Sequence, residues 1–121
     1  MSKTVLVVDD SLSIREAVSY TLQAEGFSVI KADNGKNALK NLTGNVVDLI
    51  ITDLHMPEMD GIELTREIRK LNEFSHTPIL LLTTESQVSK KMEAKQAGAT
   101  GWIVKPFESE RLIAVIKKVL R

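Results

Sequence analysis

The chain has 121 residues, the length of one domain, so we expect residues 1–121 to form a single unit. It carries 16 Lys and Arg against 16 Asp and Glu, and this zero net charge argues against bulk attraction to nucleic acid or anionic membranes. The absence of Cys excludes disulfides, zinc–thiolate sites and thiol nucleophiles. No apolar run approaches the roughly 20 residues that span a bilayer, and the first residues show no signal-peptide pattern. We therefore expect a cytoplasmic protein.

Five short segments have the composition of β-strands. The first, 5–8, is an unbroken branched apolar run, typical of a strand buried on both faces of a parallel sheet. The second, 27–32, alternates apolar and polar residues, which is typical of an edge strand. The other three strands are predicted at 46–52, 78–82 and 102–104.

The segments that follow the first two strands have apolar residues at helical spacing. Ser13 and Glu16 offer a capping box near the start of the first helix, and Gly26 predicts its end. The second helix is predicted to open at 34–35 and to close near Gly44. Each predicted helix therefore lies between two predicted strands.

The remaining helices follow the third, fourth and fifth strands. Asp60 with Glu63 predicts a capping box for the third helix, and Thr84 with Gln87 predicts one for the fourth, which ends at Gly98. The apolar stripes are Ile62, Leu64, Ile68 and Leu71 in the third helix, and Leu112, Val115, Ile116, Val119 and Leu120 in the fifth.

The elements together predict an α/β fold of five βα units. Strict alternation of strands and helices implies a parallel sheet with helices on both faces. Five strands suit the flavodoxin-like, doubly wound order 2-1-3-4-5. In such a sheet, ligands bind beyond the carboxyl ends of the strands where the strand order reverses, here between the first and third strands.

Polar residues follow the strands that surround this point. Asp9 and Asp10 come after the first strand and Asp53 after the third, while Thr83 and Lys105 follow the fourth and fifth. Three carboxylates at one edge repel one another unless a cation neutralises them. Their oxygen ligands suit Mg²⁺, with Mn²⁺ as an alternative.

The same grouping fits a site that holds a phosphoryl group beside a carboxylate. Asp53 lies on the central strand and is the natural nucleophile, because carboxylates form aspartyl phosphates. Mg²⁺ and Lys105 would stabilise charge on the transferred group. There is no Gly-rich phosphate loop and no histidine placed as an obvious general base.

These residues resemble the receiver domain of two-component response regulators, and within that family a stand-alone, CheY-like chemotaxis regulator. The resemblance covers essentially the whole chain, and its four motifs come in the correct order. They are Val7-Val8-Asp9-Asp10-Ser11, the run from Asp53 through Pro57 to Asp60-Gly61, Leu81-Leu82-Thr83-Thr84, and Gly101-Trp102-Ile103-Val104-Lys105-Pro106-Phe107.

The resemblance implies a role for each residue at the acidic edge. Asp53 would be phosphorylated by a histidine kinase. Asp10 and Asp53, with the backbone carbonyl of His55, would hold Mg²⁺, and Asp9 would help through a metal-bound water. Lys105 would contact the phosphoryl group and the acidic cluster.

The resemblance also implies a conformational switch. Thr83 would move to bond the phosphoryl oxygen, and Trp102 would then turn inward and change the face formed by helix 4, strand 5 and helix 5. The bond before Pro106 is expected to be cis. Trp102 departs from the more usual Tyr or Phe, and its indole needs more room. His55 and Glu85 occupy positions that help set the rate of dephosphorylation.

Several functions fit this resemblance. The first is a monomeric switch in chemotaxis that binds a downstream protein, such as a flagellar motor switch component, without nucleic acid or membrane. A stand-alone phosphorelay intermediate is the second, and a receiver-shaped scaffold that never takes phosphate is another. A Mg²⁺-dependent phosphatase with Asp53 as nucleophile is disfavoured because His55 stands where such enzymes carry a second acid. We expect no turnover enzyme.

Overall fold

The computed structural model describes residues 3–120. Within them, five strands alternate with five α-helices, and a 3₁₀ turn follows the third helix. The strands are β1 (Thr4–Val8), β2 (Ser28–Ala32), β3 (Leu49–Thr52), β4 (Ile79–Thr83) and β5 (Gly101–Val104). The helices are α1 (Leu12–Ala24), α2 (Gly35–Leu42), α3 (Gly61–Arg69), α4 (Val88–Ala97) and α5 (Ser109–Val119), and the 3₁₀ turn is Asn72–Phe74.

The five strands form one parallel sheet in the order β2-β1-β3-β4-β5. This order confirms the predicted flavodoxin-like topology, with β2 at an edge and the reversal of strand order between β1 and β3. The third strand is shorter than predicted: it begins at Leu49, and residues 46–48 lie before it, with Val46 81% exposed. None of the helices in the described part of the chain is both long and apolar enough to cross a bilayer.

Apolar residues cover both faces of the sheet. On one face, α1 and α5 pack against inward-facing strand residues through Val18, Leu22, Leu112 and Ile116. The opposite face is covered by α2, α3 and α4. Each fully buried Leu or Ile contributes about 1.5–3 kcal/mol relative to an exposed position, so this double layer stabilises the sheet that carries the site. The residues of that second layer include Ala38, Leu42, Leu64, Ile68 and, from α4, Ala94.

Side-chain capping confirms one predicted helix start and corrects another. Asp60 and Glu63 form the predicted capping box of α3, each accepting a hydrogen bond from the other's backbone amide. The predicted box of Ser13 and Glu16 is wrong, because Ser11 is the N-cap of α1 and its side chain accepts from a first-turn amide. The carboxylate of Asp9 holds the Ser11 amide at 2.9 Å, so the helix starts earlier than predicted.

The fourth helix also starts differently from the prediction. The predicted box of Thr84 and Gln87 is wrong, since Gln87 is the N-cap and makes no side-chain capping hydrogen bond. The carboxylate of Glu85 instead accepts the backbone amide of Gln87 at 3.1 Å. The end of α4 is as predicted, because Gly98 has a φ of 110°, which glycine adopts without steric cost.

The third helix is shorter than its apolar pattern indicated. It ends at Arg69, and Leu71, predicted to face the core, is 38% exposed. The following 3₁₀ turn carries Phe74 into the core instead, where only 5% of its surface remains accessible.

Candidate functional site

Three aspartates meet at the carboxyl edge of the sheet. Asp9 and Asp10 directly follow β1, and Asp53 directly follows β3, whose pairing with β1 brings the two strand ends together. Each aspartate offers one carboxylate oxygen within 4.8 Å of the others. Asp9 and Asp53 are buried, at 3% and 8% exposure, whereas Asp10 is exposed. The structure thus brings together the carboxylates that the sequence singled out.

Lys105 lies between the two buried carboxylates. Its Nζ is 2.9 Å from Asp9 Oδ2 and 3.3 Å from Asp53 Oδ2, and its side chain is only 11% exposed. The Lys105 amide donates to the carbonyl of Thr83 at 2.8 Å, and the Lys105–Pro106 peptide bond is cis. From the end of β5, the ammonium group thus reaches the aspartates that follow β1 and β3.

The side chains at this edge carry an excess of negative charge, which suits a divalent cation. Three carboxylates and one ammonium group carry a formal charge of −2, and buried like charges repel strongly when they are not neutralised. The donors are all carboxylate oxygens, which favour Mg²⁺ or Mn²⁺ over softer metals. The side-chain chemistry at this edge therefore fits a bound divalent metal ion.

Backbone hydrogen bonds fix the two buried carboxylates. Asp9 Oδ1 accepts from the Ser11 amide at 2.9 Å, and Asp53 Oδ1 accepts from the Leu54 amide at 2.7 Å. Arg15, in the first turns of α1, donates from Nη1 to the carbonyl oxygen of Asp9 at 2.7 Å. The sequence analysis did not identify Arg15. Its position six residues after Asp9, in the predicted first helix, could have indicated a contact with the turn that carries Asp9.

The exposed aspartate borders an open cavity of about 370 Å³. The cavity therefore opens beside the exposed member of the acidic cluster. It is lined by Asp10, Asp33, Asn34, Pro57 and Glu58.

Thr83 and His55 flank the acidic cluster without joining it. Thr83 is fully buried at the end of β4, and its hydroxyl accepts the Glu85 amide at 3.2 Å. His55 belongs to the loop between β3 and α3, and its ring Nε2 is 3.0 Å from Glu85 Oε1. Among residues 3–120, the side chains close enough together to bind one metal ion are those of the three aspartates, and the His55 ring is not among them.

Glu85 links these flanking residues to Trp102. The indole Nε1 of Trp102 donates to the backbone carbonyl of Glu85 at 3.0 Å, and the indole is half-buried. The amide of Gln87, followed by the His55 side chain, lowers the pKa of the Glu85 carboxyl below its ordinary value. Sequence analysis noted Glu85 only by its position, because the contact with His55 joins residues 30 positions apart.

A fold and site of this kind define the receiver class of signalling domain, and comparison with known proteins agrees. The family model of the response regulator receiver domain matches residues 5–117, so this chain belongs to that family. Receiver domains are the phosphorylation-regulated elements of two-component signalling, and they bind Mg²⁺ at an acidic pocket.

Curated relatives match across the whole chain. Response regulator MprA from Mycobacterium sp. (strain KMS) is 36% identical over 121 residues, which are 100% of this chain and 52% of that protein. Transcriptional regulatory protein SrrA from Staphylococcus aureus (strain NCTC 8325 / PS 47) is also 36% identical, over 49% of its length. The chain therefore spans about half the length of these relatives.

Solved structures match over nearly their full length. The chemotaxis protein CheY4 of Vibrio cholerae has a TM-score of 0.96 and 46% identity, with 99% of this chain and 100% of that chain covered. A response regulator from Chloroflexus aurantiacus has a TM-score of 0.94 and 32% identity, with coverage of 99% and 98%. The structural likeness thus extends to a chemotaxis protein.

Proposed function

We propose that this chain is a phosphorylation-controlled switch that accepts a phosphoryl group from a histidine kinase on Asp53. The observation that carries the proposal is a buried Asp53 carboxylate beside Lys105 and two further aspartates, at the reversal of strand order. An Asp53 oxygen forms the new bond to phosphorus as the phosphorus–nitrogen bond of the donor phosphohistidine breaks. The released imidazole nitrogen then takes up a proton.

The residues around Asp53 have complementary roles in this proposal. Asp10, Asp53 and the His55 carbonyl would hold Mg²⁺, or Mn²⁺, and Asp9 would act through a metal-bound water. When bound, the metal ion supplies positive charge beside the transferring phosphoryl oxygens. Lys105 contacts the phosphoryl group from the side of Asp9, where its ammonium group already lies within 2.9 Å of a carboxylate oxygen.

The proposed output is a change in the face formed by α4, β5 and α5. Thr83 moves toward the phosphoryl oxygen and Trp102 follows, which is a local charge event that biases a two-state element. Val88, Met92 and Val104 on α4 and β5 are 70%, 58% and 43% exposed, which supports contact with a protein partner at this face.

We assign the switch to chemotaxis, with residues 1–121 as one cytoplasmic, monomeric receiver domain that acts on a partner such as a flagellar motor switch component. The 46% identity to a chemotaxis protein over nearly all of both chains supports this assignment. MprA and SrrA are regulators of about twice the length, so their similarity supports the receiver class more than a particular output.

A stand-alone phosphorelay intermediate is the alternative. It would use the same Asp53 chemistry but would lose its phosphoryl group to a histidine-containing phosphotransfer protein. The hypothesis of a Mg²⁺-dependent phosphatase is weaker, because the His55 ring contacts Glu85 instead of joining the acidic cluster. Sustained turnover of a small phosphate ester would favour it.

The test is the intact mass of the protein after incubation with acetyl phosphate and Mg²⁺. We expect the gain of one phosphoryl group in the native chain and none in Asp53→Asn, while Asp33→Asn, on the rim of the neighbouring cavity, serves as the matched control and keeps the gain. Trp102 fluorescence during titration with Mg²⁺ and beryllofluoride reports the switch in the same samples. The absence of both a mass gain and a Mg²⁺ response would contradict the proposal.

A further inference from the structure

Glu85 contacts four separate parts of the molecule around the acidic edge. Its amide donates to Thr83, and its carboxylate oxygens accept from the His55 ring and from the Gln87 amide. Its carbonyl accepts from the indole of Trp102 at 3.0 Å. One residue therefore joins the end of β4, the loop after Asp53, the start of α4 and strand β5.

The contact with His55 joins the side chains of two loops, which follow the neighbouring strands β3 and β4. His55 lies two residues after Asp53, so its ring moves with the loop that carries the proposed phosphoryl acceptor. The Glu85 side chain is 15% exposed and the His55 side chain 57% exposed. The contact is therefore sheltered on the Glu85 side and open to solvent on the His55 side.

The start of α4 gives that turn little other support. Its N-cap makes no side-chain capping hydrogen bond, and the carboxylate of Glu85 satisfies the Gln87 amide instead. Unsatisfied amides at a helix start are normally held by a capping side chain. The contacts of Glu85 thus determine how the turn between β4 and α4 is held.

Trp102 lies at the far end of this set of contacts. Its indole packs at the edge of a buried cluster that joins α3, β4 and α4, and its single N–H donor is occupied by the Glu85 carbonyl. A shift of the β4–α4 turn would move the Glu85 carbonyl and so change that hydrogen bond. The cluster comprises Leu54, Ile62, Leu81 and Ala94.

We propose that Glu85 is a positioning residue that couples the loop carrying Asp53 to Trp102 through the His55 ring. This coupling deepens the proposed switch and takes its biological meaning from it. The His55 ring sets the position of the Glu85 carboxylate, the carboxylate holds the turn, and the turn carbonyl holds the indole. Perturbing the ring therefore reaches Trp102 without a substitution at Thr83 or at the aspartates.

The test uses the single Trp of the chain as its reporter, in protein without metal or phosphate. The indole resonance of ¹⁵N-tryptophan-labelled protein is compared in the native chain, His55→Ala, Glu85→Ala and the double variant. Glu93→Ala is the matched control, because Glu93 pairs only with exposed cations on α3 and α4 in the described contacts.

We expect His55→Ala and Glu85→Ala to move the indole resonance in the same direction. Exchange of the indole proton with solvent should accelerate about two- to fivefold in each, as for the loss of a partly exposed ion pair. The double variant should match Glu85→Ala, because the His55 ring then has no Glu85 side chain to act through. Glu93→Ala should leave the resonance in place.

His55→Ala decides the outcome, since the described contacts of its ring reach Trp102 only through Glu85. An unmoved indole resonance in His55→Ala overturns the proposal, and so do additive shifts in the double variant. These measurements need no phosphorylation. The acetyl phosphate mass test reports on Asp53 independently, so failure of the coupling and failure of the proposed function are distinguished.

Discussion

At the scale of single residues, the loop after Asp53 has an unusual backbone at Glu58. Its φ is 69°, in the left-handed region, which costs a residue with a side chain about 1–2 kcal/mol. Glu58 is exposed and lines the cavity that Asp10 borders. Backbone strain of this kind clusters at functional sites, where the surrounding structure maintains it. Here it belongs to the loop that leads from Asp53 to the capping box of α3.

Replacing Glu58 with glycine tests this strain. Glycine relieves the steric cost but loses more conformational entropy on folding, so we expect Glu58→Gly to stabilise the protein by about 0.5 kcal/mol. Urea unfolding with an unchanged denaturant slope measures the difference. Glu58→Gln removes the charge and keeps the strain, and should leave stability nearly unchanged. In α5, Glu110→Gly should have the opposite sign and cost about 1 kcal/mol. A destabilised Glu58→Gly would contradict the argument.

At the scale of elements, Arg69 ties the end of α3 to two other segments. Its Nη1 donates to the carbonyls of Phe74 and Thr77 at 2.8 and 2.6 Å, and its Nε and Nη2 donate to the carbonyl of Gly98. Burial lowers the pKa of the Arg69 guanidinium below its ordinary value. The guanidinium therefore satisfies carbonyls at the 3₁₀ turn and at the C-terminal end of α4, where helix carbonyls lack partners within the helix.

Truncating this side chain should uncouple those elements. Arg69→Met keeps the apolar stem but leaves part-buried carbonyls without their donor, and we expect a loss of about 2 kcal/mol in the free energy of unfolding. Arg66→Met, three residues earlier in the same helix, removes only an exposed pair with Glu93 at 3.7 Å and should change the free energy of unfolding by less than about 0.5 kcal/mol. Equal effects of the two variants on the urea midpoint would refute the special role of Arg69.

Elements differ in how well their sequence predicts them. Strands and their order followed from apolar runs and from alternation with helices, because a strand covered on both faces needs a continuous apolar run. Helix starts were less predictable. Ser11 and Ser13 are equally good caps by composition, and the choice between them depends on Asp9, which holds the Ser11 amide. Local patterns contain no information about such tertiary hydrogen bonds.

Within the site, contacts that depend on tertiary packing could likewise not be predicted from the sequence. The position of Asp9, Asp10 and Asp53 at one edge follows from where their strands end, so their convergence was predictable. The contact between His55 and Glu85 was not, because it depends on how two loops of separate βα units fold over the edge. The contribution of Arg15 to the Asp9 turn likewise depends on the packing of α1.

At the scale of the whole molecule, the acidic edge is part of the stability of the fold. β1 and β3 are inner strands of the sheet, and three carboxylates follow them. Their total negative charge exceeds the single positive charge of Lys105. Repulsion among them opposes folding when no cation is bound. A ligand that binds the native state alone adds stability according to its concentration and affinity. Metal binding at this edge should therefore appear as a rise in global stability, even though the chain as a whole carries no net charge.

Magnesium titration of thermal or urea unfolding tests this linkage. At ten times its dissociation constant, Mg²⁺ should add about 1.4 kcal/mol to the free energy of unfolding of the native chain. Asp10→Asn removes an exposed carboxylate from the cluster, so it should raise metal-free stability by about 0.5 kcal/mol and lose most of the Mg²⁺ increment. Asp33→Asn, outside the cluster, should keep that increment. An Asp10→Asn protein that is less stable without metal yet gains as much from Mg²⁺ would show that the carboxylates neither repel nor bind as a unit.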